Sequence, residues 1–175
     1  MRITTWAEYG LICALHLARR VSEGPVTGRE IAATEQLPPD YVEQILLRLR
    51  RAGIVRSTRG ARGGYALAAP PADVSVRAVI AASELTTFEL HCTSHPLAEG
   101  RCAESHSCSI RPVWQLLQQR IDDVLEGVRL ADLLADESVV RQRVGLPERR
   151  VEERAPLEAL DGAPTGRQRL PVLQA

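Results

Sequence analysis

The sequence predicts a mostly α fold with one small β-hairpin, and three observations predict it. Apolar residues recur at three- and four-residue spacings up to position 52. Residues 54–68 then change period, with two short β-type runs flanking a glycine-rich stretch. A long amphipathic stripe follows Pro112.

Each element can be justified in order. Thr5-Trp6-Ala7-Glu8 has the capping-box form, and Trp6, Tyr9, Ile12, Cys13, His16 and Leu17 then share one helical face, which predicts a helix over 5–20. Val21-Ser22-Glu23-Gly24-Pro25 ends it. Thr27-Gly28-Arg29-Glu30 is a second capping box and opens a short helix to about 35. Gln36-Leu37-Pro38 supplies a turn, and Pro39 suits the first turn of a third helix that runs to 52 and stops at Gly53. Ile54-Val55-Arg56-Ser57 and Tyr65-Ala66-Leu67-Ala68 read as strands joined by Thr58-Arg59-Gly60-Ala61-Arg62-Gly63-Gly64. Helix, helix, turn, helix and a basic-tipped hairpin is the order of a winged helix-turn-helix, here over 1–70.

A second region covers 71–139. Ser75 can cap a helix over 76–83, residues 85–109 form a long loop, and a helix from Pro112 carries Trp114, Leu117, Ile121, Val124, Leu125 and Val128 on one stripe. Such a stripe needs a partner, and a second copy is expected to provide it, making this a long dimerisation helix. The alternative is packing on its own domain. Leu130-Ala131-Asp132-Leu133-Leu134 closes the ordered part, and residues 140–175 read as a disordered tail with recurrent prolines.

Composition excludes several classes. At 175 residues with 45% apolar and 25% charged, the chain is an ordinary soluble domain with an appendage. No apolar run approaches the roughly 18 residues of a membrane span and no leader-like segment opens the chain, so a cytoplasmic protein is expected. Catalytic triads, carboxylate pairs, phosphate-cradling loops and nucleotide fingerprints are missing from the sequence, so an enzyme is not expected.

The zero net charge hides an asymmetry. All 22 basic residues are arginine, and within 41–65 six arginines face one acid, Glu43. A basic segment on this fold suits a polyanion, here double-stranded DNA. Tyr41, Glu43 and Gln44, in the first turns of the third helix, can enter a major groove: Glu43 can accept from cytosine, Gln44 can pair with adenine, and Tyr41 can reach a phosphate or a thymine methyl. Arg48, Arg50 and Arg51 lie further along, placed for phosphates. Arg59 and Arg62, among glycines on a thin loop, suit a narrow, negative minor groove.

Cys92, Cys102 and Cys108 fall within 17 residues, whereas Cys13 reads as a small buried hydrophobe. In a cytosolic protein such clustering suggests a metal or redox site before disulfides. Neither gap matches a zinc-finger knuckle, while iron–sulphur clusters tolerate wider loops. His91, His95, His106, Glu99 and Glu104 lie near enough in sequence to provide a fourth ligand. A structural metal site, a zinc or thiol switch, and an iron–sulphur electron-transfer or cluster-delivery protein remain open on the residues alone. His16 reads as a helix-face histidine with no special role.

Several segments together resemble the Rrf2 family of bacterial transcription regulators, which includes the iron–sulphur regulator IscR and the nitric-oxide sensor NsrR. They are Met1-Arg2-Ile3-Thr4, Tyr41-Val42-Glu43-Gln44-Ile45-Leu46-Leu47-Arg48-Leu49-Arg50, Gly53-Ile54-Val55-Arg56-Ser57, Arg59-Gly60, Gly63-Gly64-Tyr65, and the three-cysteine loop followed by Trp114. The similarity covers about 1–135. It implies a homodimer crossed at the long helix with one 2Fe-2S or 4Fe-4S cluster per subunit, whose state controls operator binding. By position, Cys92, Cys102 and Cys108 would be thiolate ligands, Tyr41 and Glu43 would lie at the base-reading end, and Arg59 in the minor groove. Two departures stand out: the first cysteine gap is nine residues, longer than is usual in the family, and Arg111 occupies the place where the IscR type has a ligating histidine. Glu8 matches the acidic residue that completes the NsrR-type site from the other subunit, and it also fits the predicted capping box.

Overall fold

The structure is a computed structural model that describes residues 4–60, 62–84 and 107–148. Its helices are α1 (Thr5–Arg19), α2 (Gly28–Thr34), α3 (Pro39–Arg51), α4 (Val76–Ser83), α5 (Arg111–Gly127) and α6 (Glu137–Arg143), with strands β1 (Val55–Thr58) and β2 (Gly64–Leu67) between α3 and α4. Single turns of tighter helix precede α4 at Pro71–Asp73 and follow α5 at Asp132–Leu134.

Side-chain caps fix where three of these helices, α1, α2 and α4, start. Thr27 accepts from the Glu30 amide at 3.1 Å and Ser75 from the Ala78 amide at 3.1 Å, as their sequences predict. The first helix differs: its cap is Thr4, whose hydroxyl accepts from Ala7 N. The capping-box position three residues on is therefore Ala7, and Glu8 is left out of the cap. Both strands are shifted by one residue from expectation, paired antiparallel with Val55 opposite Leu67 and Thr58 opposite Gly64. An isolated bridge from Val26 to Tyr65 adds a third edge to the hairpin.

The core is built by α1, α2 and α3. Cys13, Ala14, Leu17, Ile31, Val42, Ile45, Leu46 and Leu49 are all buried, and Leu130 reaches the same cluster from beyond α5. Placing Val42, Ile45, Leu46 and Leu49 on one face of α3 turns Glu43, Gln44, Arg50 and Arg51 outward. His16 corrects its expectation: it is buried, and its Nδ1 lies 2.7 Å from Glu35 Oε1, joining α1 to the end of α2.

The long helix α5 is anchored at its C-terminal end. Residues 74–76 and 128–130 pair as extended chain, with Val76 N to Val128 O and Leu130 N to Val74 O both at 2.9 Å. Arg77 Nε donates to Asp122 Oδ1 at 3.0 Å and Gln118 donates to Oδ2 at 3.1 Å. Burial alone would raise the Asp122 carboxyl, but those two hydrogen bonds and the Arg77 charge outweigh it and leave it below its ordinary value. The contribution of this tie is present at neutral pH and fades as pH falls through that lowered value.

The apolar stripe of α5 divides in two. Leu125 and Val128 pack on Ala7, Val76 and Ile80 of the same chain. Trp114 and Leu117 stay 41% exposed and Val124 60%, alongside Val113 and Leu116 on the exposed surface. Residues 85–106, which contain most of the predicted long loop, lie outside the described residues, as does 149–175. The expectation of a structureless tail from 140 is corrected by α6, which runs through Arg143; Arg141 then binds the Pro147 carbonyl through Nε at 2.9 Å and Nη2 at 2.7 Å.

Ile45→Ala is expected to cost about 2–5 kcal/mol, the usual penalty for emptying a fully buried aliphatic site. Thr27→Ala is expected to cost only about 1 kcal/mol, from one lost cap. Urea denaturation midpoints measure both, with the slope unchanged.

Candidate nucleic-acid interface and metal-ligating residues

Packing on α1 organises the first turns of α3. The Tyr41 ring lies 4.8 Å from that of Trp6 and 5.8 Å, edge-on, from that of Tyr9, so its body is fixed while the residue stays 39% exposed. Gln44 is exposed on the adjacent turn. Glu43 is also exposed but leans back on α2: a Cβ added at Gly28 would fall 2.3 Å from Glu43 Oε1. Glycine at the first position of α2 thus makes room for a carboxylate beside the positive end of that helix.

Arg50 is exposed and donates to Ser57 Oγ at 3.4 Å, so it lies between α3 and the hairpin. Arg59 and Arg62 are exposed on the hairpin tip, where Gly63 N donates to Gly60 O at 2.9 Å. Gly60 has φ +114°, a conformation that side-chain-bearing residues rarely adopt. The tip is therefore thin by necessity, and its two arginines extend from a backbone with little bulk around it.

Arg48, expected among the phosphate contacts, has its guanidinium engaged within the chain. Its guanidinium lies 4.0 Å from the centre of the Trp6 ring and donates to the Ser83 carbonyl at 2.6 Å. It is only half-exposed and faces inward. Periodicity places Arg48 on a helix face but cannot show that a ring and a helix end lie beside it.

Of the expected metal ligands, Cys92 and Cys102 lie outside the described residues. Cys108 is half-buried just before α5, and its carbonyl accepts from Arg111 N at 3.3 Å. Glu8 is exposed on α1. Among the described residues, no three His, Cys, Asp or Glu side chains converge to hold a metal. Cys13 is excluded as a donor: burial, helped by the nearby Glu35 carboxylate, pushes its thiol up to about 12, so it stays protonated at neutral pH.

The fold and this arginine-bearing surface define a winged helix-turn-helix transcription regulator that binds DNA. A family profile described as Rrf2, iron-dependent transcriptional regulator, matches residues 3–136, and the chain belongs to that family. IscR of Aliivibrio salmonicida is 32% identical over 139 residues, spanning 79% of this chain and 80% of that protein. Among solved structures, T. potens IscR superposes with a TM-score of 0.62 at 33% identity, covering 79% of this chain and 90% of that one. CymR, the global cysteine regulator of B. subtilis, also gives 0.62, at 31% identity over 78% of this chain and 99% of its own. Among the described residues no helix is long and apolar enough to cross a membrane.

Gly28→Ala is expected to leave the fold intact and to push Glu43 off α2, because its methyl collides with the far end of that flexible side chain and asks only a few tenths of an ångström of Leu46 Cδ1, 3.3 Å away. Selection from a randomised duplex library should then return altered base preferences; identical preferences would remove Glu43 from base reading. Arg59→Ala should weaken binding to the selected duplex by about 1–3 kcal/mol if it contacts bases, measured by fluorescence anisotropy at fixed salt.

Proposed function

We propose that the protein is a cytoplasmic homodimeric regulator whose operator affinity is set by an iron–sulphur cluster. Cys92, Cys102 and Cys108 are the thiolate ligands, and Glu8 of the partner subunit completes the set. The observation that carries this reading is the cap at Thr4, which leaves the Glu8 carboxylate exposed and outside any hydrogen bond or ion pair among the described residues. Three soft thiolates with one harder oxygen suit iron–sulphur chemistry better than a closed zinc knuckle. Cys13, held protonated, leaves the clustered cysteines as the thiolate source. The description of the family as iron-dependent supports the same choice. The exposed face of α5, with Val113, Trp114, Leu116 and Leu117, is where a second copy would pack.

When bound, the cluster supplies a redox- and ligand-responsive centre. The chain's own residues do the rest. Glu8 projects from the helix on which Tyr41 stacks, so its engagement bears on the placement of α3. Tyr41, Glu43 and Gln44 meet the major groove, Arg50 the backbone, and Arg59 and Arg62 the minor groove.

Protein purified without oxygen tests this. Wild type should show visible absorption and contain both iron and acid-labile sulphide, and Cys102→Ala should lose all three. Glu8→Ala should shift the visible spectrum while keeping the far-ultraviolet circular dichroism. Zinc alone, or no metal, in carefully handled wild type would replace the cluster with a zinc or thiol switch. An unshifted Glu8→Ala spectrum would move the fourth ligand elsewhere.

A further inference from the structure

The residues just before the cysteine segment are fixed from three sides. The last carbonyls of a helix have no partner within it, and in α4 the Ser83 carbonyl is taken by the Arg48 guanidinium of α3. A positive group at the C-terminal end of a helix also meets the favourable end of its dipole. The Ser83 side chain is fully buried and its hydroxyl donates to Val79 O at 2.7 Å. On the third side α1 presses so closely that a Cβ at Gly10 would fall 2.0 Å from Ser83 Oγ. The next residue, Glu84, accepts a hydrogen bond from Thr4, the cap of α1. Beyond Glu84 the chain runs into the stretch that contains Cys92 and Cys102.

Arg48 of α3 thus holds the end of α4 by a side-chain hydrogen bond. Its side chain is held by two unlike contacts, a ring face and a carbonyl oxygen, which oppose the loss of rotamer freedom in so long a side chain. Trp6 also stacks on Tyr41, so one aromatic shelf on α1 supports both the base-reading end of α3 and the arginine that reaches α4.

We propose that Arg48 is a positioning residue that couples the DNA-reading helix to the root of the cysteine segment, and that it contacts no phosphate. The proposal rests on the reading that the cysteine segment is the regulatory site. Movement at the end of α4 would be delivered to α3 through the guanidinium, and by reciprocity DNA binding would be felt at the cysteines.

The experiment uses the full chain freed of metal by a chelator, so it does not depend on cluster loading. Maleimide labelling of Cys92, Cys102 and Cys108 is followed by peptide mass spectrometry, with and without a duplex that wild type selects from a randomised library. In wild type the duplex should change the labelling rates severalfold. Arg48→Gln should abolish that change while keeping the melting temperature near wild type, and Arg48→Lys, which can still donate to Ser83 but cannot lie flat on Trp6, should restore part of it. The slope of log affinity against log salt should be the same in all three proteins. A slope reduced by about 0.9 in Arg48→Gln would mark a phosphate contact and overturn the proposal. So would labelling in wild type that is indifferent to DNA, or an undiminished response in Arg48→Gln. Colourless, iron-free wild type would count against the cluster and leave these arms standing.

Discussion

The 13-residue helix α3 is the constraint on which the rest of the structure depends. It has to bury Val42, Ile45, Leu46 and Leu49 completely, and that requirement fixes its rotation about its own axis. Once the rotation is fixed, Glu43, Gln44 and Arg50 face outward without any further device. The remaining freedom is a slide or tilt against its neighbours. Contacts at both ends oppose it: Tyr41 against Trp6 and Tyr9 near the start, and Arg48 against Ser83 toward the finish. A reading helix needs this much restraint, because base-edge hydrogen bonds lose most of their discrimination when displaced by an ångström.

A chain without lysine assigns its arginines to different tasks by what lies within reach. Arg59 and Arg62 stand exposed on a glycine-rich tip. Arg56 donates to the Leu67 carbonyl across the hairpin at 3.3 Å, and Arg77 pairs with Asp122 to hold α5 on α4. Arg48 has a tryptophan and a helix end beside it and turns inward. The guanidinium's planar fork suits each case, lying flat on a ring or meeting a carbonyl with directed donors. The basic density of 41–65 is therefore shared between binding and internal structure.

That sharing explains what the sequence could and could not convey. Caps and turns are local, and so Thr27, Ser75 and the helix ends they fix were readable, as was the order of helices and hairpin. The choice between Thr4 and Thr5 as the first cap was not, because it depends on which hydroxyl meets the Ala7 amide once Trp6 and Tyr9 are packed. The roles of Arg48 and His16 depend on residues 35 and 19 positions away, Ser83 and Glu35, and no periodicity encodes such pairs. Gly28 was legible as part of a capping box. Its second task, admitting the Glu43 carboxylate, appears only when α2 and α3 are packed together. The apolar stripe of α5 was correctly located, but one stripe on a helical wheel proved to be two surfaces, because residues 128–130 tie only one end of the helix to the core.

The same tie bears on how a signal could travel. The chain enters the cysteine segment from Glu84, held by Thr4, and returns through Cys108 into α5, whose far end is locked to residues 74–76 just ahead of α4. The segment is thus spanned by a closed circuit of α4, the 74–76 pairing and α5, with Arg77 and Asp122 as a cross-brace. The two junctions differ: Glu84 is held at once by Thr4, whereas Cys108 leads into the end of α5 that lies away from the 128–130 tie. Two routes lead from these junctions into the described fold, one along α5 and one through the end of α4. The first path leads to the exposed face of α5, and the second leads through the Ser83 carbonyl to α3. The short helix α4 therefore lies between the start of the 85–106 stretch and α3, joined to α3 by Arg48 and to α5 by Arg77.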